Sequence, residues 1–154
     1  MTHTMNPFEI KPYEGVGNFH FGMTATEVTS IFGEPRRKGA NRKGEPDWSY
    51  GDYSIRFSKA EGALVEIGFL KSAAVLFEGS DVFRDSDSFA RIVARDRDVF
   101  EFYGFLVFLG LGITLTGFHD NDEAQRALTV FQRGRWDQFK NDPAFRPWRS
   151  PKAK

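Results

Sequence analysis

Apolar residues recur at helical spacing in two short segments of this sequence. They occupy positions i, i+3 and i+4 of each segment, as Val28, Ile31, Phe32, Phe89, Ile92 and Val93. Thr24 and Glu27 are spaced as a capping box ahead of the first segment, and a Gly-x-Pro stop follows it. Asp85 or Ser86 is the expected N-cap of the second. The pattern predicts two short helices, each with one apolar stripe for a core.

The segments that follow the predicted helices have the strand period instead. Gly51 and Asp52 supply a turn between two alternating segments, and a third apolar segment returns over 63–70. The polar, glycine-rich stretch 36–47 is expected to be an exposed loop. Further apolar strands are predicted at 102–109, 112–118 and 127–134. The predicted fold is α+β, with a single antiparallel sheet and helices on one face.

A weak internal repeat predicts how the chain is organised. One helix-plus-meander unit would span residues 19–70 and a second, degenerate unit residues 75–134, both within a single α+β domain of residues 1–145. Three prolines interrupt the chain from residue 139 onward, so residues 146–154 are expected to form a disordered tail.

Composition narrows the function classes. The 154 residues carry 21 basic and 21 acidic side chains, and this balance argues against a nucleic-acid partner bound over the whole surface. There is no cysteine, which excludes disulfides and thiolate chemistry and fits a reducing compartment. Neither a secretory signal nor an apolar segment of membrane-spanning length is present. A cytoplasmic protein without a membrane partner is predicted.

The region around the first predicted helix resembles known helix-and-sheet modules. The residues that carry the resemblance are Gly22-Met23-Thr24, Glu27-Val28, Phe32-Gly33-Glu34-Pro35 and Trp48-Ser49-Tyr50. Over residues 19–70 this order resembles the SmpA/OmlA outer-membrane lipoprotein family and the beta-lactamase inhibitor proteins. The chain lacks their export signal, lipobox cysteine and disulfides. It is also similar to small bacterial proteins of unknown function for which toxin immunity is one hypothesis. The resemblance implies a module that binds proteins and does no chemistry.

The sequence contains no recognisable catalytic or metal-binding motif. His20 alternates with phenylalanines in a predicted strand, and His119 opens the polar sequence HDNDE. Counted from Asp120, that cluster fails the calcium-loop pattern, because Ala124 and Phe131 stand where ligands 5 and 12 are needed. Neither a Gly-x-Ser-x-Gly elbow nor a phosphate-binding glycine loop is found. No catalytic residue, metal or cofactor is predicted.

Two features predict a partner-binding surface. Four basic side chains of the loop 36–47 are candidate contacts that would steer association with an acidic partner: Arg36, Arg37, Arg42 and Lys43. Trp48 and Tyr50 share one side of a predicted strand, and Tyr53 lies on the next strand. These aromatic residues form either binding hot spots on an exposed sheet face or a second core layer, and their spacing leaves both open.

The function favoured by these patterns is non-catalytic binding of another protein, with toxin neutralisation by an immunity-type inhibitor as its specific form. The alternative is a small-ligand-binding protein or an enzyme, with a pocket between helix and sheet centred on His20 or His119. A third possibility is single-stranded nucleic acid held by the basic C-terminal stretch, where Trp136 and Trp148 lie among arginines.

Overall fold

The computed structural model describes residues 8–150, and this range contains two α-helices and fourteen strands. The helices are α1 (Ala25–Phe32) and α2 (Ser88–Arg95). The strands before α2 are β1 (Phe8–Lys11), β2 (Gly15–Val16), β3 (Phe19–His20), β4 (Arg37–Ala40), β5 (Pro46–Ser49), β6 (Tyr53–Phe57), β7 (Leu64–Leu70), β8 (Val75–Phe77) and β9 (Ser80–Asp81). Those after it are β10 (Val99–Phe102), β11 (Phe105–Phe108), β12 (Ile113–Thr116), β13 (Ala127–Phe131) and β14 (Arg146–Pro147).

The strands form two sheets, so the predicted α+β fold with a single sheet is wrong and the chain is mainly β. One sheet has nine strands in the order β14-β10-β11-β12-β13-β7-β6-β5-β4, and the other has five in the order β3-β2-β1-β8-β9. A helix of eight residues is about 12 Å long, whereas nine strands span roughly 40 Å. Two such helices are too small to cover one face of the large sheet, and the five-stranded sheet completes the covering layer.

Helix α1 forms as its sequence predicts. The Thr24 hydroxyl accepts a hydrogen bond from the Glu27 backbone N–H at 3.2 Å, and the Glu27 carboxylate accepts one from the Thr24 N–H at 3.0 Å. This confirms the capping box, which contributes on the order of 1 kcal/mol. Gly33 ends the helix with a φ of 81°, a conformation that favours glycine. No helix within residues 8–150 has the length and apolar character needed to cross a bilayer.

The nine-stranded sheet consists of two four-stranded antiparallel meanders joined side by side, with β14 added at the edge beside β10. Strands β4 to β7 follow α1, and strands β10 to β13 follow α2. The last strand of each meander pairs with the other in antiparallel register, with Leu128 opposite Phe69 and Val130 opposite Ile67. The sheet is therefore continuous across the junction between the two halves of the chain.

The main core lies between the nine-stranded sheet and the layer formed by the helices and the five-stranded sheet. Ile67 and Phe69 contribute to it from β7, and Ile92 contributes from α2. Phe19 of β3 stacks on Phe32 of α1 with ring centroids 3.7 Å apart, which fixes the helix against the small sheet. Because this layer covers only one face of the large sheet, the chain needs a second covering element for the opposite face.

That second element is the C-terminal segment, residues 132–147, which packs on the opposite face over β10, β11 and β13. The second core formed there consists of the buried Phe102, Val107, Phe131 and Phe145, with Trp136 and Phe139 packed against it. Strand β14 pairs with β10, and Trp148 packs against the main core. The predicted disordered tail is thus wrong for residues 146–150, while residues 151–154 lie outside the described range.

Candidate functional site

The C-terminal segment leaves part of the second sheet face uncovered, over β4 to β7 and β13. We call this part the open face. The main core contains Ile55, Ile67 and Val130, so the residues next to them in each strand point to the opposite face of the sheet. Phe131 there is covered by the C-terminal segment, and the others lie on the open face. A row of directly paired residues crosses it: Arg37, Ser49, Ser54, Gly68 and Thr129. Most of these side chains are small, and the face holds a cavity of about 430 Å³.

A second row on the open face carries charge. Asp47 pairs in register with Arg56, and Arg56 with Glu66. The Arg56 guanidinium forms an ion pair with Glu66, and its Nε lies 3.6 Å from the Asp47 carboxylate. A methyl group built on Gly68 would lie 3.4 Å from the Arg56 Nη1 atom. The absence of a side chain at Gly68 therefore leaves room for the guanidinium to lie across the cavity floor.

Arg135 extends this chain of ion pairs into the C-terminal segment. Its Nε donates to Glu66 at 2.7 Å, and its two terminal nitrogens donate to the Glu45 carboxylate at 2.9 and 2.8 Å. Asn41 also donates to Glu45 at 2.8 Å. We call the chain Asp47–Arg56–Glu66–Arg135–Glu45 the charged bridge. It ties the β4–β5 hairpin to the C-terminal segment and bounds the open face at one end.

The charged bridge shifts the pKa values of its members. Hydrogen bonds from Arg135 lower the pKa of Glu45 from 4.5 to about 2, although burial alone would raise it. Burial alone would lower the pKa of Arg135, but the hydrogen bonds and charges of Glu45 and Glu66 outweigh that effect and raise it. Glu45 and Arg135 are therefore both ionised at neutral pH, and this ion pair fixes the hairpin against the C-terminal segment.

The predicted exposed loop 36–47 is instead mostly a hairpin. Strand β4 pairs along its length with β5, and both strands lie within the nine-stranded sheet. Asn41 organises the turn, since its side-chain oxygen accepts the backbone N–H groups of Lys43 and Glu45 at 3.0 Å each. Gly44 has a φ of 82° in the same turn. This Asn and Gly chemistry was present in the sequence and is typical of a tight connection between strands.

The four predicted basic contacts surround the open face but do not converge on it. Arg37 lines the cavity. The Arg36 guanidinium lies against Gly51, and Arg42 is exposed in the hairpin turn. The Lys43 ammonium lies 5.1 Å from the centre of the Phe139 ring, so it braces the hairpin against the C-terminal segment. Within residues 8–150, none of the three arginines of this group forms an ion pair.

The three aromatic candidates pack on the main-core side of the sheet. Trp48 is only 8% exposed and contacts Phe57 edge-on at 4.9 Å between ring centroids. Tyr50 and Tyr53 are half-buried against the same core, and Tyr50 donates its hydroxyl to the Gly33 carbonyl at 2.9 Å. Burial raises the pKa of Tyr53 to about 12. Of the two roles left open by the spacing, the contacts of these side chains are those of a core layer, and Tyr53 also borders the open-face cavity.

Apart from Arg37, sequence reasoning missed the side chains that form the open face. Leu70 is 56% exposed and pairs with Ala127, and both line the cavity. The signal was available in β7, because Ile67 and Phe69 face the main core and Gly68 and Leu70 must then face away from it. The small residues Ser54 and Thr129 carried no comparable signal, since only the register of three strands, β6, β7 and β13, brings them together.

The two candidate histidines lie elsewhere. His20 is exposed on β3 of the five-stranded sheet. His119 is largely buried, with its Nε2 atom 2.9 Å from the Glu101 carboxylate and its ring beside Trp148. Neither lines the cavity. In the described part of the chain, no group of three or more histidine, aspartate or glutamate side chains is placed to hold a metal ion.

Comparison with known proteins adds no family or relative. No family model, no curated protein and no solved structure matches the chain. The resemblance to SmpA/OmlA lipoproteins and beta-lactamase inhibitor proteins over residues 19–70 thus stays a prediction. The geometry of the open face is the observation from which a function can be argued.

Proposed function

We propose that the protein is a non-catalytic protein-binding module whose contact surface is the open face. The observation that carries the proposal is an uncovered, concave section of a sheet that is otherwise packed on both faces. It combines an apolar side chain that is largely exposed, Leu70, with the arginines 37 and 56. Arginine is enriched at interface hot spots, and an exposed apolar side chain beside it adds area that a partner would bury.

The rigidity of this surface also supports a binding role. Its floor consists of hydrogen-bonded strands, and the charged bridge holds the hairpin at one end. A surface that is already ordered loses little conformational entropy on association, which favours tight binding. In its specific form the proposal is an immunity-type inhibitor, acting in the cytoplasm, that neutralises a partner by covering its functional surface.

The rival proposal is a protein that binds a small ligand or acts as an enzyme. The cavity of about 430 Å³ falls within the size range of ligand sites. It lies on the open face, however, and not between helix and sheet where the histidine-centred pocket was expected. Its lining mixes charged, hydroxyl and apolar residues and is open to solvent, which fits a contact surface better than a site that encloses most of a ligand.

The proposal is tested by capturing partners from a native-host lysate on the immobilised protein, with elution by salt and identification by mass spectrometry. Leu70→Ser removes the apolar side chain of the open face. Ile31→Ser on α1 is its matched control, because Ile31 is 54% exposed and Leu70 is 56% exposed. Thr129→Arg places a long side chain in the cavity without removing a core contact. Circular dichroism and thermal unfolding verify that all three variants are folded.

We expect wild type and Ile31→Ser to retain one stoichiometric partner. Leu70→Ser should bind it about tenfold more weakly, and Thr129→Arg should not retain it, since a buried interface side chain contributes on the order of 1 to 2 kcal/mol. Equal retention by all four proteins would place the interface elsewhere. An empty column, together with thermal stabilisation by a metabolite, would favour the small-ligand proposal.

A further inference from the structure

Arg37 and Arg56 leave guanidinium groups available in the open-face cavity. Arg37 lines the cavity and, within residues 8–150, has no ion pair and no side-chain hydrogen bond. Arg56 uses Nη1 for Glu66 and Nε for Asp47. Its Nη2 atom, which lies above Gly68 at the cavity floor, has no hydrogen-bond acceptor in the described part of the chain. The cavity thus contains arginine donors without acceptors.

Hydroxyl groups lie in the same row as these donors. The Ser54 oxygen is 3.7 Å from the position of a methyl group built on Gly68, which is also where the Arg56 guanidinium lies. The Ser49 oxygen accepts the Gly51 backbone N–H at 3.3 Å, so its own proton remains available to donate. Thr129 adds a third hydroxyl beyond Gly68 in the register. Together with the guanidinium groups they form a set of donors without a matching acceptor.

The charged side chains that line the cavity indicate which kind of hydrogen-bond acceptor it would bind. Its charged lining residues are Arg37, Arg56 and Asp47. The five side chains of the charged bridge are three carboxylates and two guanidinium groups, so the bridge supplies no excess positive charge. Arg37 is the one cation of the lining that forms no ion pair within residues 8–150. A single unpaired guanidinium matches a monoanion better than a phosphate dianion, and guanidinium groups match carboxylates in a two-point geometry.

Resting on the proposed protein-binding function, we infer that the cavity is the subsite for an aspartate or glutamate side chain of the partner. The carboxylate would lie against the Arg37 guanidinium and accept hydrogen bonds from the hydroxyls of Ser54 and Thr129. The Arg56 guanidinium, which occupies the space above Gly68, would present its Nη2 atom to the carboxylate as a further donor. Around it, the exposed Leu70 would contact an apolar neighbour in the partner.

The subsite is tested by NMR titration of the ¹⁵N-labelled full chain with a glutamate residue capped at both ends. The capped glutamine of the same shape is the neutral control, and inorganic phosphate is a third probe. We expect the glutamate to shift the backbone signals of Ser54, Gly68 and Thr129 and the Nε–H signal of Arg37. The affinity for glutamate should exceed that for glutamine at least tenfold and should also exceed that for phosphate.

Arg37→Gln should weaken the glutamate affinity at least tenfold. Arg42→Gln is the matched control, because it removes the same charge from the same hairpin but outside the cavity, and it should leave the affinity unchanged. Equal shifts with glutamate and glutamine, stronger binding of phosphate, or equal effects of the two arginine variants would each overturn the subsite.

The carboxylate subsite and the proposed protein-binding function can be refuted independently of each other. If a captured partner is lost in Leu70→Ser but the cavity shows no preference for glutamate, the open face is an interface and the carboxylate subsite is wrong. If the cavity binds capped glutamate in the expected way but the immobilised protein captures no partner, the anion site stands and the protein-binding function fails.

Discussion

Replacing Arg135 by methionine would remove the cation that joins Glu45 and Glu66, leaving two carboxylates in a poorly solvated place. The side chains of Glu45, Glu66 and Arg135 are 12%, 14% and 17% exposed. Removing one partner from such a pair costs more than the pair contributes, because an unpaired charge remains behind. A pKa lowered from 4.5 to about 2 corresponds to about 3 kcal/mol of preference for ionised Glu45. We therefore expect Arg135→Met to lower the free energy of unfolding by about 3 kcal/mol at pH 7.

The pH dependence provides a more specific check. Because folding lowers the pKa of Glu45, the stabilisation is complete above pH 4.5 and is lost as the pH falls toward about 2. The difference between wild type and Arg135→Met, measured by urea denaturation, should shrink to less than half between pH 7 and pH 3. Adding Glu45→Gln to Arg135→Met should restore part of the loss at pH 7, since it removes one unpaired charge.

A matched surface change calibrates the assay. Lys140 pairs with Asp137 at 2.8 Å, but these side chains are 48% and 63% exposed. Lys140→Met should therefore change stability by about 0.5 kcal/mol or less. Two results would refute the assignment of Glu45 and Arg135 as an electrostatically coupled pair. One is that Arg135→Met lowers the free energy of unfolding no more than Lys140→Met does, and the other is that its effect is the same at pH 7 and pH 3.

Two further predictions concern packing. Trp48→Ala should lower the free energy of unfolding by about 3 to 5 kcal/mol in urea denaturation, because Trp48 is buried against Phe57; unchanged stability would contradict its place in the core. Gly15→Ala should prevent folding or cost more than about 3 kcal/mol, since the added methyl group would lie 2.0 Å from the Phe19 carbonyl oxygen. Gly62→Ala is the control, because Gly62 has a φ of 66° but open space around it, and this change should cost about 1 kcal/mol in the same assay. If Gly15→Ala and Gly62→Ala lowered the free energy of unfolding equally, the close approach at Gly15 would be refuted.

The sequence predicted what local chemistry determines. The cap of α1 needs only residues three positions apart, and it forms as expected. The start of α2 was less certain, because several acidic residues compete to precede it. The N-cap is Asp87, while Asp85 accepts a hydrogen bond from the Ser80 hydroxyl instead. The small sheet was missed although the strand at β3 was recognised from its alternation, because β2 and β9 have only two residues each and no local pattern shows which strands pair with which.

The candidate site was harder to predict because it depends on residues far apart in the chain. Arg135 and Glu45 are separated by 90 positions, and no pattern in either neighbourhood indicates the other. The alternation at Trp48 was recognised, but alternation alone does not say which sheet face is covered. That choice depends on the C-terminal segment, which Trp136 and Phe145 anchor in the second core. The sequence indicated no packing partner for either residue, and the prolines that follow favoured disorder from residue 146 onward.

The pairing of β7 with β13 also bears on synthesis of the chain. β7 is a seven-residue strand with buried apolar side chains, and it leaves the ribosome well before β13, which begins at Ala127. Translation proceeds at about 5 to 20 residues per second, so β7 remains an unpaired edge strand of the first meander for several seconds. An apolar edge of this kind can recruit strands from other chains. The nascent first half is therefore the stage at which this protein is most exposed to misassembly, and a chaperone that shields β7 would act there.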